Sequence, residues 1–211
     1  MFMAKKILKE NYITIVCLIL LIILFSLIMR SSLHDKIIQI DYKIFDLLTK
    51  ITTEKFTDFL RILTNFGDFY IPFGILVCIF IFLKNKWVIV LQSGCYAVSG
   101  IITYISKLLA GRPRPIDSLA NIPKSYSFPS GHTLTSIVFY FMLIYLLTYK
   151  LEKKKRIIIL TITLLLTLSI PFSRVYLRVH YFSDVLGGLI IGSICLLLFT
   201  NIISKNFGDK L

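Results

Sequence analysis

Ser173-Arg-Val-Tyr-Leu-Arg-Val-His180-Tyr-Phe-Ser-Asp184 joins two apolar runs, 157–177 and 182–204. Each run can cross a hydrocarbon core of about 30 Å, a distance that takes about 20 helical residues. Ionisable side chains at the rim of such segments are expensive to hold and demand an explanation. On one helix His180 and Asp184 lie a turn apart on nearly the same face. The carboxylate can then take a hydrogen bond from one imidazole nitrogen and leave the other as a free lone pair. Arg174, six residues before His180, would point well away at about 100° per residue. The spacing therefore predicts a break, with Arg174 ending one helix and residues 180–184 opening the next.

Outward from this elbow the apolar runs are 13–29, 70–83, 88–110 and 131–149, the second of them short but extendable through 66–70. Together with the first two they predict an all-α, polytopic membrane protein, a bundle of six transmembrane helices forming one domain over residues 1–211. The 211 residues are 56% hydrophobic. The first run is read as an uncleaved helix, since no Ala-x-Ala-like site follows it. Residues 31–68 differ: Ile37, Ile40, Ile44, Leu48, Ile51, Phe56, Leu60 and Leu63 recur at helical spacing among charges that nearly cancel. That pattern fits an amphipathic helix or helix pair at the membrane surface, capping the bundle. Cys17, Cys78, Cys95 and Cys195 all fall in apolar segments without Cys-x-x-Cys spacing and read as small hydrophobic residues.

The formal charge of +13 does not indicate nucleic acid, because the basic residues lie between apolar runs and are not gathered on a soluble face. They set topology instead. Six crossings put both termini on one side, which carries twelve basic and three acidic residues against twelve and eight on the other. Six of the second twelve sit in the long, charge-balanced segment 30–68, where they count for little. The expectation is a plasma-membrane protein with cytoplasmic termini and an outward-facing polar site.

The unusual polar residues all fall on that outer side. Lys107 closes the third crossing and leads into Arg112-Pro-Arg114-Pro115. The fourth opens with Ser127-Phe-Pro129-Ser130-Gly131-His132, and the elbow supplies Arg174, His180 and Asp184. Ser130 at a helix N-cap leaves the amides of Gly131 and His132 unpaired, a setting that attracts oxyanions, and glycine lets a ligand come close. Lys107, Arg114 and Arg174 would spread positive charge over a transferring phosphoryl group. His132 could protonate the leaving oxygen while His180 attacks phosphorus, with Asp184 fixing the tautomer. No carboxylate cluster is present to hold two magnesium ions, so neither metal nor cofactor is expected.

Lys107-x6-Arg114-Pro115, then Pro129-Ser130-Gly131-His132, then Ser173-Arg174-x5-His180-x3-Asp184 resembles the complete three-part signature of the type 2 phosphatidic acid phosphatase family. The motifs span 107–184; residues 1–69 resemble the family only in layout. The resemblance implies a metal-independent membrane lipid phosphatase. In it His180 forms a phosphohistidine, Asp184 orients it, His132 is the general acid, and Lys107, Arg114, Ser130, Gly131 and Arg174 hold phosphate. It implies lipid phosphates or diphosphates as substrates: phosphatidic acid, phosphatidylglycerophosphate or undecaprenyl diphosphate. The Ser-Arg-Val-Tyr-Leu-x-Val-His core looks most like the phosphatidylglycerophosphatase B group. A phosphotransferase of the same fold, passing the group to an alcohol, is the alternative enzyme. A transporter or scaffold is the alternative from another class, and it predicts charges at mid-crossing depth. The expected partners are the bilayer and its lipid phosphate, with no obligate protein partner.

Outside the signature, Arg112, Lys124 and Arg178 read as solvated loop charges, Arg112 or Lys124 being available to a second phosphate. His34, beside Asp35, reads as a surface residue. Pro171 is placed to kink the helix that carries Arg174.

Overall fold

The computed structural model describes residues 2–31 and 33–211, with side chains from residue 7 onward except that of Leu8; the charges of Lys5 and Lys6 lie outside the described side chains. Among the described residues eight α-helices follow one another: α1 Phe2–Ile28, α2 Leu33–Thr49, α3 Glu54–Thr64, α4 Tyr70–Phe82, α5 Lys86–Ala110, α6 Gly131–Leu147, α7 Lys153–Tyr176 and α8 Phe182–Phe207. A 3-10 turn, Asn65–Gly67, leads from α3 towards α4. No strand occurs among the described residues.

Local chemistry sets several of the boundaries. Thr53 caps α3 by accepting from the Phe56 amide, and Asn85 caps α5 by accepting from the Trp87 amide. Ser130 is extended at the N-cap of α6, as its spacing predicts, although its side chain makes no capping bond. Pro171 lies within α7, which runs on unbroken to Tyr176.

Among the described residues, four helical stretches are long and apolar enough to cross a membrane: Lys9–Ile28, Lys86–Ala110, Lys153–Tyr176 and Phe182–Lys210. Glu54–Gly67 and Tyr70–Phe82 meet at a 49° bend and pass the same test together, while Gly131–Leu147 is a shorter apolar helix. Large apolar side chains cover the outside, among them Ile162, Leu165 and Leu197, each about two-thirds exposed. So much outward-facing hydrocarbon is stable only against lipid. The chain is a multi-pass membrane protein. The signature charges sit at helix ends, Lys107 in the last turn of α5, Arg174 in that of α7 and Asp184 in the first of α8. None lies at the mid-helix depth that a transport route requires.

α6 is the central helix, packed on α5, α7 and α8. Leu134, Val138 and Met142 are fully buried and meet Ile191 and Cys195 of α8 in one apolar cluster. In lipid such contacts are driven by close packing, and small residues allow it. A Cβ added to Gly188 of α8 would stand 2.8 Å from the Ser130 carbonyl oxygen and 3.0 Å from Thr133 Cβ. The obstacle is backbone at the very start of α6, so neither partner can yield cheaply. Gly188→Ala is expected to destabilise the protein by about 1–3 kcal/mol and to slow turnover, because it forces apart the start of α6, which carries His132, and the start of α8, which carries Asp184. Thermal unfolding in detergent and turnover on the same sample check both effects.

Candidate active site

The elbow is built differently from a continuous helix. Arg178 takes φ +52°, the left-handed position that ends a helix, just after the C-cap Leu177 of α7. The amides of Val179 and His180 then both donate to the Arg174 carbonyl. His180 consequently precedes α8 and does not stand on it, correcting the expectation of a shared helical face. Asp184 still reaches back: its Oδ2 accepts from the Tyr181 amide at 2.9 Å and lies 3.5 Å from His180 Nδ1. That last contact is longer than a formed hydrogen bond, as such contacts often are before substrate binds. Ser127 Oγ also donates to Oδ2. Both His180 and Asp184 are essentially inaccessible to water. Burial, against the opposing pull of Asp184, holds the His180 imidazole well below its ordinary pKa, so the ring is neutral at neutral pH.

The other motifs close around this pair. The Ser130 amide donates to the Asp184 carbonyl at 3.0 Å, joining the start of α6 to the first turn of α8. Arg114 Nη1 donates to the Val179 carbonyl at 2.8 Å and lies 3.1 Å from His180 Nε2, the nitrogen left free by Asp184. Lys107 Nζ donates to the carbonyls of Tyr126 and Ser127, pinning the loop that leads into α6. Gly131 faces Thr103 and Lys107 on α5.

His132 and Arg174 stand beside a cavity of about 770 Å³, lined also by Thr64, Asn65, Asp68, Ser118 and Asn121. His132 Nε2 is 2.9 Å from Asp68 Oδ1, an ion-pair distance without hydrogen-bond alignment. Gly67 permits this approach, since a Cβ there would meet His132 Cδ2 at 2.9 Å. Arg174 Nη1 donates to Thr64 Oγ1 at 2.8 Å. Among the described residues, His132 Nε2 and Arg174 Nε are buried donors without an aligned acceptor. Buried polar groups are rarely left so, and two of them at one cavity make a site suited to an oxyanion. Of the predicted site residues, His132 and Arg174 line this cavity, whereas His180, Lys107, Arg114, Ser130 and Gly131 do not.

A family model described as the PAP2 superfamily matches residues 86–208. The chain belongs to this superfamily. Phosphatidylglycerophosphatase B of Bacillus subtilis (strain 168) is 28% identical over 194 residues, covering 89% of this chain and 93% of that one. The crystal structure of the transmembrane PAP2-type phosphatidylglycerolphosphate phosphatase from Bacillus subtilis superposes with a TM-score of 0.80 at 23% identity, over 90% of this chain and 96% of the other. Aquifex aeolicus LpxE superposes with a TM-score of 0.60 at 24% identity, over 76% and 94%. Both superpositions speak to the fold.

Four residues outside the PAP2 signature belong to this region. Arg112 is not a solvated loop charge: it is 1% exposed and bridges Asp184 and Asp41. His34 is not a free surface residue, because its Nε2 accepts from Arg112 Nε at 3.1 Å. Burial first, and then the Arg112 charge, hold His34 below its ordinary pKa, in keeping with a neutral ring that accepts. Asp41 and Asp68 carry no motif and were invisible as site residues; each lies more than 60 positions from its partner in sequence. Arg178 lies in the loop, as expected, partly exposed; it donates to Thr49 of α2 and lies 5.8 Å from the centre of the Phe45 ring. Lys124 is exposed, as expected.

Proposed function

We propose that this protein is a metal-independent lipid phosphatase working through a phosphohistidine. The neutral Nε2 of His180 attacks phosphorus, a P–N bond forms, and the bond from phosphorus to the lipid oxygen breaks as His132 gives that oxygen its proton. Water activated by His132 then cleaves the P–N bond, releasing phosphate and restoring both rings. Asp184 holds Nδ1–H towards itself. Lys107, Arg114, Arg174 and the amides after Ser130, those of Gly131 and His132, carry the charge of the phosphoryl oxygens. Arg114, which now lies against Nε2, turns to the phosphate as it arrives.

The strongest support is one juxtaposition: a buried neutral histidine with its carboxylate, tied through Ser130 to a second histidine that has its own carboxylate at a cavity with unsatisfied cationic donors. The three carboxylates are separately committed, Asp41 and Asp184 to Arg112 and Asp68 to His132, so no set of them is free to ligate two magnesium ions. The names of the Bacillus subtilis relatives favour phosphatidylglycerophosphate as the lipid. Purified protein should release inorganic phosphate from it in excess chelator, and faster than from undecaprenyl diphosphate. A strict requirement for a divalent ion refutes the chemistry, and the reverse preference refutes the substrate.

The same proposal places six crossings, α1 and α4–α8, in the plasma membrane with cytoplasmic termini, α2 and α3 along the outer surface, and the site facing out. With the four native cysteines replaced, a single cysteine in the 111–128 loop should react with an impermeant reagent in intact cells. Labelling only after lysis overturns the orientation.

A further inference from the structure

Arg112 is the largest fully buried side chain among the described residues, although it lies in a loop and outside the signature. All three guanidinium nitrogens are engaged. Nε donates to His34 at 3.1 Å, Nη1 to Ser183 Oγ at 2.8 Å and to Asp184 Oδ1, and Nη2 to Asp41 Oδ2 at 2.8 Å. Its plane rests 4.2 Å from the centre of the Tyr181 ring. Four of its five N–H donors are thus spent on protein partners, leaving a single Nη2 hydrogen.

Asp41 comes from the middle of α2 and is itself 1% exposed. Besides Arg112 it accepts from the Ser183 amide at 2.9 Å and from Ser183 Oγ at 2.6 Å, so it is fastened to the first turn of α8 one residue before Asp184. The two oxygens of Asp184 thereby have separate duties. Oδ1 is taken by Arg112, and Oδ2 faces Tyr181, Ser127 and His180. Without the guanidinium, two buried carboxylates would face each other unscreened. One would take up a proton or turn away, since an uncompensated buried charge is not tolerated. A protonated or rotated Asp184 no longer holds the Nδ1–H of His180.

We propose that Arg112, clamped by Asp41 of α2, is a positioning residue for phosphoryl transfer: it fixes the charge and orientation of Asp184 and so couples the α2 helix to the nucleophile. The proposal rests on His180 being that nucleophile. It predicts an effect on the chemical step and none on anion binding, because the guanidinium is held by His34, Ser183, Asp184 and Asp41.

The test uses the full chain in detergent, measuring kcat and KM on a lipid phosphate together with inhibition by orthovanadate, an anion that binds the phosphate site. R112Q should lower kcat about 100-fold, and D41N about 10-fold, with KM and the vanadate inhibition constant within about threefold of the parent. Retained vanadate inhibition also shows that the variant is folded. R112Q/D184N should be no slower than D184N alone, since residues acting through one carboxylate are not additive. Multiplicative losses in the double variant overturn the proposal. So does vanadate inhibition weakened as far as in R114Q, or a folded R112Q with parental kcat. Should R112Q not be recoverable, D41N decides by the same criteria, an unchanged kcat there being fatal. Activity surviving in H180A instead sinks the phosphohistidine reading while leaving the contacts of Arg112 as they are.

Discussion

His180→Ala should abolish turnover, by at least about 10⁴-fold, with no compensating change in KM. Losing a nucleophile removes the entire covalent route, and what remains is only the anion site's ability to hold phosphate. Incubation of the parent with phosphate-labelled lipid and rapid acid-free quenching should leave label on the protein. The alanine variant should leave none. Asp184→Asn should retain the labelled species but form it about 10²- to 10⁴-fold more slowly, in line with the orienting carboxylate of other triads. Turnover near the parental rate in His180→Ala removes the proposed nucleophile altogether.

The second large effect concerns the leaving group. His132→Ala should slow hydrolysis of a lipid phosphate about 10²- to 10⁴-fold, the usual contribution of a positioned general acid. A glycerol-type alkoxide cannot depart without a proton, whereas an aryl oxide can. With an aryl phosphate as substrate the deficit of His132→Ala should therefore shrink to about 10-fold or less. His180→Ala should show no such relief. Asp68→Asn should copy the His132 pattern at smaller amplitude, because the carboxylate 2.9 Å from Nε2 stabilises the imidazolium and does not itself touch the leaving oxygen. Equal losses on both substrates for His132→Ala dismiss it as the acid and reduce it to an anion ligand.

Much of the scaffold is legible in the chain because lipid enforces long apolar runs. The expected segments 70–83, 88–110 and 131–149 correspond to Tyr70–Phe82, Lys86–Ala110 and Gly131–Leu147. The signature residues are legible for a related reason: a histidine or arginine at the end of such a run stands out against its neighbours. Arg112, Asp41 and Asp68 do not. Each sits among other charges in a loop or an amphipathic segment, and a buried ion pair between residues 71 apart leaves no local periodicity to read. The placement of His180 escaped for another cause. The turn before it depends on Arg178 adopting a left-handed backbone, a conformation for which glycine or asparagine is the ordinary signal and arginine is not.

α6 has 17 residues and so spans about 25 Å, whereas its neighbour α8 has 26. A hydrocarbon core is about 30 Å thick. On the six-crossing, outward-facing reading proposed above, and with the shortfall at its outer end, the end of α6 that bears Ser130 and His132 stops several ångströms short of the outer headgroup level. The catalyst would then lie beneath the waterline, in a recess walled by the longer α5, α7 and α8 into which a headgroup sinks. The tails need never be drawn out, which would cost about 0.8 kcal/mol for every methylene exposed. Only the freed phosphate has to make the journey up into water.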